Sequence, residues 1–379
     1  MIYLDNNATT RPDNAVVERV RDVVGEAFGN PSSVHALGQQ TRAAIDEARA
    51  SIAELVGCRD REITFTGSGT EATNTLLRGL ASKRAGRIVT TVVEHDATHR
   101  TVETLGESGR DVAFLPVDEA GRLSPEALRE TLDEDAAVVS VIWANNETGV
   151  VNDVASLAEV CREKGVPLHV DATQMVGKLP VDLHRVGCDA ATFSPHKFHG
   201  LKGVGCLYVR RGLRVPPLVV GGPQERDRRG GTENVVGILA AGVAAETSPD
   251  RIAAASDIAA KRDRLEQSLV DALPDVRING LDADRLPNTS NIAFKGVQAE
   301  ALLMLMNEAG VCASAGAACS SGSLEPSRVL LAMGVPEPWA FGSIRLSLSR
   351  ETTDADVDDA IRIISESVTR LRRVMPVAA

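Results

Sequence analysis

The stretch Ser194-Pro195-His196-Lys197-Phe198-His199-Gly200 follows an apolar run, Ala190 to Ser194, that predicts a β-strand. It places a lysine, framed by Ser and His, directly after that strand. Such a lysine suits a buried Schiff base, because burial and neighbouring cations disfavour the charged form and leave an amine that can attack an aldehyde. An isolated lysine is more often a surface residue in a polar loop, so this interpretation depends on the surrounding segments.

A second strand lies upstream, in Pro167-Leu168-His169-Val170-Asp171-Ala172-Thr173-Gln174, and it delivers a carboxylate and an amide at its end. Pyridoxal phosphate works as an electron sink only while its ring nitrogen stays protonated, which requires a buried carboxylate beside that nitrogen. Asp171 is the candidate for this carboxylate. Together with Lys197 it indicates a pyridoxal phosphate site.

Alternating short β-rich runs and helical patterns occupy residues 60 to 210. The runs are Glu62 to Thr66, Arg87 to Val93, Val112 to Val117, Ala137 to Trp143, Val166 to Asp171, Ala190 to Ser194 and Gly205 to Val209. This pattern predicts an α/β fold with a mostly parallel seven-stranded sheet, helices on both faces, and a ligand crevice at the carboxyl ends of the strands.

The pattern changes after residue 245. A helix over Ile252 to Leu273 is expected first, followed by strands, a helix at Ala299 to Ala309, and a last helix at Asp354 to Arg373. We therefore predict a large domain at residues 15–245. A smaller α+β domain would comprise residues 1–14 and 246–379, with the first residues packed near the active site.

Composition narrows the function classes. A net charge of −11 over 379 residues argues against direct nucleic-acid binding. The longest apolar runs are too short to span a membrane, and the amino terminus resembles no export signal, so a cytoplasmic protein is expected. The six cysteines are scattered without CxxC spacing, which favours a reduced compartment over a disulfide framework or a zinc site.

Further candidate residues follow the other predicted strands. Gly69 and Thr70 begin a helix after a glycine-rich turn, where free backbone N–H groups favour a phosphate, although such turns are also common as plain loops. His95 could stack on a cofactor ring and move protons, or be a structural histidine. Asn146 could bind the cofactor or a substrate carboxylate, or simply form a turn.

Two features lie in the last third of the chain. The Gly-, Ser- and Ala-rich run at residues 313–323 predicts a mobile loop that presents Cys319, a nucleophile if its thiol has thiolate character. The alternative is a flexible loop with an incidental cysteine. Arg345 lies on a predicted strand and could clamp a carboxylate, or face solvent.

In their order and spacing these segments strongly resemble the cysteine desulfurases of the NifS/IscS type, which have the aspartate aminotransferase-like fold of the class V aminotransferases. The resemblance runs almost the whole length. The segments that carry it are Tyr3 to Thr10, Gly29 to His35, Gly69 to Ala72, Glu94-His95, Ala144 to Gly149, Asp171 to Gln174, Ser194 to Lys197, Arg229 to Thr232 and Ala318 to Gly322.

The resemblance implies a role for each matching residue. Lys197 would form the Schiff base, Asp171 would hold the ring nitrogen, and His95 would stack on the ring and move protons. Gln174 would bond the phenolic oxygen, and Asn146 and Arg345 would hold the substrate carboxylate. The residues assigned to the cofactor phosphate are Gly69, Thr70, Ser194, His196 and, from a neighbouring subunit, Thr232, which implies a homodimer with shared active sites.

The implied reaction removes sulfur from L-cysteine, gives L-alanine, and leaves a persulfide on Cys319 for a sulfur-acceptor protein. The acceptor would serve iron–sulfur cluster assembly or the thiolation of RNA or DNA. Selenocysteine lyase or another reaction on the same fold is the alternative, and a catalytically silent scaffold for sulfur-transfer partners is a third reading. Two residues depart from the family pattern, Leu201 in place of proline and Arg328 in place of histidine.

Overall fold

The computed structural model describes residues 1–315 and 325–374. Its strands are β1 Ile2–Tyr3, β2 Ile63–Thr66, β3 Ile88–Thr91, β4 Val112–Leu115, β5 Val138–Ile142, β6 Leu168–Asp171, β7 Ala190–Phe193, β8 Gly205–Val209, β9 Val276–Ile278, β10 Thr289–Phe294, β11 Val311–Cys312 and β12 Ser343–Ser347.

The helices are α1 Asn14–Val23, α2 Ala36–Leu55, α3 Gly69–Lys83, α4 Asp96–Glu107, α5 Pro125–Thr131, α6 Val154–Glu163, α7 Leu183–Val186, α8 Gln224–Asp227, α9 Val235–Glu246, α10 Ser248–Ala253, α11 Ala255–Ala272, α12 Ala299–Glu308, α13 Arg328–Ala332, α14 Glu337–Ala340 and α15 Asp354–Val374. Short 3₁₀ turns cover Asp60–Glu62 and Pro195–Lys197.

The main sheet has the order β2-β8-β7-β6-β5-β3-β4 in the described part of the chain. Only β8 runs antiparallel to its neighbours, so the predicted mostly parallel seven-stranded sheet is confirmed. The strands are buried on both faces because helices cover each side. The carboxyl ends of β2, β3, β5, β6 and β7 consequently meet at one edge.

The two faces of this sheet show the period of two expected for strands. Val139 and Val141 of β5 belong to the core formed with α2, α6 and α9, whereas Val138 packs into a separate cluster with α3 and α4. Because both faces of the sheet are covered, residues that face either side are apolar, and the strands do not alternate between apolar and polar residues. This explains why periodicity and strand length together were sufficient to predict the layers.

A second core lies around the antiparallel sheet β12-β10-β9, which packs against α11, α12 and α15. Strand β1 pairs in parallel with β11, and Asn6 donates from its backbone to Ser347, so the first residues are tied to this second core. The division of the chain into a large and a small domain near residues 245 and 246 stays a prediction.

One helix prediction was wrong. The segment from Ile252 to Leu273 is broken at Ala254, and α10 begins earlier, at Ser248. The break contains neither glycine nor proline. Close to the break, the buried Arg251 guanidinium of α10 is bound to Asp13, with Nη1 3.0 Å from Oδ2.

Candidate functional site

A pocket lies at the edge where the strand ends meet. Its lining includes nearly all of the residues that the sequence singled out, with at least one from each of five strand ends: Gly69, Thr70, His95, Asn146, Asp171, Gln174, Ser194, His196 and Lys197. Residues separated by up to 128 positions are brought together because parallel strands end at the same side of a sheet. Geometry therefore supports one site for nine of the twelve predicted residues.

The turn between β2 and α3 forms one wall. Ser68 caps the helix, with its Oγ accepting from the Glu71 backbone N–H at 3.1 Å, and the Gly69 N–H donates to Ser194 Oγ at 3.1 Å. The capping box is only half formed, because the Glu71 carboxylate accepts from the Gly67 N–H instead of the Ser68 N–H. The Ser194 hydroxyl keeps its own proton for a ligand in the pocket.

Lys197 follows β7 on the 3₁₀ turn Pro195–Lys197. Its Nζ donates to the backbone oxygens of Asn7 at 2.7 Å and Ala8 at 2.8 Å, so the amine sits against the amino-terminal segment. His196 lies beside it. Burial lowers the pKa of His196 to about 4, with the charges of Lys197 and Lys202 adding to the effect, so this imidazole is neutral at pH 7 and can donate one N–H.

Asp171 ends β6 and is only 4% exposed. Its Oδ1 accepts from the Thr173 backbone N–H at 3.0 Å, which fixes the carboxylate at the strand end. A carboxylate held in this way on the pocket wall can bind a protonated ring nitrogen.

His95 lies opposite, as the N-cap of α4, with Nδ1 accepting from the Ala97 backbone N–H at 3.0 Å. Burial lowers its pKa below 6.5; Lys197 lowers it further, whereas Asp171 raises it. The ring is therefore neutral at pH 7. Because Nδ1 is an acceptor, the remaining proton is assigned to Nε2, where the ring can donate it.

Arg345 lies on β12, is 1% exposed, and does not line the pocket itself. Its Nη1 donates to the Asn146 backbone oxygen at 2.9 Å and its Nη2 to Asp5 Oδ1 at 2.7 Å. The alternative of a solvent-facing strand arginine is thereby wrong. The guanidinium stands directly behind the pocket wall that Asn146 forms.

Thr232 is exposed and does not line the pocket. Cys319, the remaining predicted residue, lies outside the described residues. Cys312 is half-buried at the end of β11.

Sequence reasoning missed Lys178. Its Nζ contacts Asn7 Oδ1 at 2.7 Å and Gln174 Oε1 at an even shorter separation. The four-residue spacing from Gln174 is one helical turn, and it was the signal that could have found this lysine.

The two departures from the family pattern are structural. Arg328 binds the backbone oxygens of Val92 and Glu94, with Nη2 2.9 Å from the Glu94 oxygen, and so anchors the turn that carries His95. Leu201 is half-buried and packs on the main core.

Residues 2–359 match the model of the family described as "Aminotransferase class-V". The chain belongs to this family. It is 46% identical to the cysteine desulfurase of Nostoc sp., over 99% of this chain and 95% of the relative, and 44% identical to the cysteine desulfurase NifS of Azotobacter vinelandii, over 99% and 94%. A solved structure titled "NIFS-LIKE PROTEIN" superposes with a TM-score of 0.91 at 36% identity, covering 97% of this chain and 99% of that one.

Class V aminotransferases use pyridoxal 5′-phosphate, and the pocket fits that group. A lysine amine, a buried carboxylate and a helix N-terminus line one cavity, which are the partners that an aldehyde, a ring nitrogen and a phosphate require. The backbone also leaves room for it. A Cβ on Gly69 would lie 2.4 Å from Ser194 Oγ, and one on Gly205 would lie 2.1 Å from the Ser68 carbonyl carbon. Glycine at these positions keeps the phosphate end of the pocket open.

Among the described residues, every helix is too short or too polar to cross a bilayer.

Proposed function

We propose that the protein is a cysteine desulfurase, which converts L-cysteine and an enzyme thiol into L-alanine and an enzyme persulfide. The observation that carries this proposal is the likeness, over nearly the full length, to proteins named cysteine desulfurase, combined with a pocket that holds Lys197, Asp171 and His95 together. The sulfur that leaves the substrate carbon becomes the outer atom of the persulfide, so the reaction balances without an external oxidant.

Pyridoxal phosphate, when bound, supplies the electron sink that stabilises negative charge on the substrate carbon. Lys197 would bind its aldehyde, and Asp171 would hold a proton at its ring nitrogen. Gly69, Thr70, Ser194 and His196 would hold the phosphate. The neutral state of His196 is compatible with this role, since it can still donate a hydrogen bond from its one N–H group.

His95 would move a proton on the substrate side of the ring. Its Nδ1 is engaged by the Ala97 N–H, so Nε2 carries the exchangeable proton and the ring acts first as a donor. The Lys197 amine would be the base that accepts the proton from the substrate carbon.

Asn146 and Arg345 would hold the substrate carboxylate, and they already contact each other through the bond from Arg345 Nη1 to the Asn146 backbone oxygen. The backbone of Ser314 pairs with Arg345, with the Arg345 N–H 2.6 Å from the Ser314 oxygen. Cys319 follows five residues later. Ser314, on the segment that carries the proposed nucleophile, therefore lies beside the residue proposed to hold the substrate. This supports Cys319 as the residue that takes the sulfur.

The test is alanine and sulfide release from L-cysteine with a reductant, measured on the parent, Cys319→Ala and Cys312→Ala proteins. We expect Cys319→Ala to lose turnover while the absorbance of the bound cofactor persists. Cys312→Ala, a cysteine at the base of the same segment, should keep turnover. Parental turnover in Cys319→Ala would reject this nucleophile and favour selenocysteine lyase or another reaction on the fold.

We further propose a homodimer in which Thr232 reaches the partner's cofactor phosphate. Thr232 is exposed on its own chain, and the chain also exposes several large apolar side chains, among them Phe28, Val34 and Val220, which a partner subunit could cover. Sedimentation equilibrium should give twice the chain mass. Thr232→Ala should weaken cofactor binding without changing that mass.

The proposed acceptor is a protein of iron–sulfur cluster assembly or of nucleic-acid thiolation, and the proposed location is the cytoplasm. Support for a reduced compartment comes from the described cysteines, all of which are free. Transfer of ³⁵S from the persulfide to purified candidate acceptors would test the first proposal, and cell fractionation the second.

A further inference from the structure

Lys178 lies four residues beyond Gln174, in the turn that follows β6. Its Nζ donates to two oxygens at once, Asn7 Oδ1 at 2.7 Å and Gln174 Oε1. Burial, with the positive charges of Lys197 and Arg345 adding to it, holds the pKa of Lys178 well below its usual range. A lysine amine is a donor in this setting whether it is charged or neutral, because the neutral amine still has two N–H groups for these two oxygens.

The contacts of Gln174 allow one orientation of its amide. Lys178 donates to Oε1, while Nε2 donates to the Asn7 backbone oxygen at 3.1 Å. A flipped amide would set its NH₂ group against the Lys178 amine and its oxygen against the Asn7 oxygen. The two hydrogen bonds seen here would be lost, so an amine that donates on one side and a backbone oxygen that only accepts on the other favour this orientation of the amide.

Asn7, which accepts from Lys178, is itself held in place by several hydrogen bonds. It is 1% exposed; its Nδ2 donates to Thr289 Oγ1 at 2.9 Å, and its Oδ1 also accepts from Asn288 Nδ2 at 3.1 Å. The backbone oxygen of Asn7 binds both Gln174 and Lys197. One buried asparagine therefore joins both lysines to the same amide.

We propose that Lys178 is a positioning residue that fixes the Gln174 amide so that its second N–H faces the phenolic oxygen of the bound cofactor. This inference rests on the cofactor placement proposed above. The pocket wall includes Gln174, and the Nε2 atom has one hydrogen left after its bond to Asn7. With the amide reversed, a carbonyl oxygen would meet the phenolic oxygen and repel it.

The consequence is spectroscopic. A hydrogen bond from Gln174 stabilises the anionic form of the phenolic oxygen. It therefore lowers the pKa at which the bound chromophore loses its proton. Loss of Lys178 should therefore raise the pH at which the absorbance of the bound cofactor changes, by about one unit.

The experiment is an absorbance titration of the holoenzyme without substrate, in a double-mutant cycle of Lys178→Met and Gln174→Leu. We expect Lys178→Met to raise the midpoint in the parent, and to raise it by less than half as much in the Gln174→Leu background. The same shift in both backgrounds would overturn the proposal, because Lys178 would then act independently of Gln174. No shift in the parent would overturn it as well.

Three further variants make the result specific. Lys178→Arg supplies a group that only donates, so its midpoint should be close to the parental one. Lys295→Met, at an exposed lysine, should have the parental midpoint. Lys197→Ala should abolish the chromophore. If the chromophore persists in Lys197→Ala, the proposed placement of the cofactor is wrong. If the chromophore requires Lys197 but its midpoint does not change in Lys178→Met, only the role of Lys178 is wrong. Should Lys178→Met not fold, Lys178→Ala replaces it with the same expected outcomes, since water can then occupy the vacated space.

Discussion

The Nη2 atom of Arg345 donates to Oδ1 of Asp5 at 2.7 Å, so the guanidinium assigned to the substrate carboxylate already binds a carboxylate of the chain. The arginine is 1% exposed, and in a site of low dielectric the charge of Asp5 offsets its attraction for a second anion. Asp5 thus both orients Arg345 and competes with the substrate.

Asp5→Asn should lower the KM for L-cysteine by roughly threefold to tenfold, a change of up to about 1.4 kcal/mol in binding. The amide oxygen still accepts from Nη2 and keeps the arginine in place, while the competing charge is removed. Steady-state kinetics at constant pH measure the effect. Asp118→Asn, which removes a carboxylate from the exposed pair with Arg122, is the control and should leave KM unchanged. A raised KM would mean that orientation outweighs competition.

Glu94 should make stability depend on pH. Burial raises its pKa to about 8, against contacts that lower it from Thr91 and the Ile142 N–H; Asp171 raises it and Arg328 lowers it. The folded protein therefore holds a proton that the unfolded chain releases from about pH 4.5, and stability is lost as the pH rises between 4.5 and about 8. Glu94→Gln resembles the protonated form and should have a flatter pH dependence of Tm. Equal slopes in both proteins would show that Glu94 is ionised in the fold.

The buried pair of Arg49 and Glu225 should be important for stability. Its two hydrogen bonds measure 2.7 and 2.9 Å, and Glu225 also accepts from the Phe65 N–H at 2.8 Å. Arg49→Met leaves an unpaired buried carboxylate and should cost about 3 to 5 kcal/mol in the free energy of unfolding. Arg362→Met, in an exposed pair, should change this free energy far less, because solvent screens the pair. Urea unfolding of both variants decides the comparison, and equal losses would contradict it.

Gly205 should be required for cofactor binding. Because its Cβ would lie 2.1 Å from the Ser68 carbonyl carbon, Gly205→Ala must displace the start of α3, where the phosphate is proposed to bind. We expect at least about a tenfold rise in the Kd for pyridoxal phosphate, equivalent to about 1.4 kcal/mol. Gly25→Ala, with open space around the added methyl group, is the matched control. Fluorescence titration of the cofactor-free proteins measures both, and unchanged affinity in Gly205→Ala would place the phosphate elsewhere.

The strand runs and their helices were predictable because a sheet covered on both faces needs continuous apolar segments, and Val138 to Ile142 shows this without any tertiary information. The pocket was predictable for the same reason. Parallel strands end on one side, so the polar residues after them, such as His95, Asp171 and Lys197, had to converge. The break at Ala254 was not predictable, because it lies in a run of alanines without the glycine or proline that would signal the end of a helix.

The sequence by itself determined the α/β layers and the identity of the residues at the strand ends, since both follow from local periodicity and from the direction of parallel strands. The amino-terminal segment was expected near the active site, but only the tertiary structure decided which residues it contacts there. Asn7 contacts Gln174, Lys178 and Lys197, and Asp5 contacts Arg345, across separations of 167 to 340 residues. Such contacts arise from how the two cores meet, and no pattern within a short window of sequence encodes that distance.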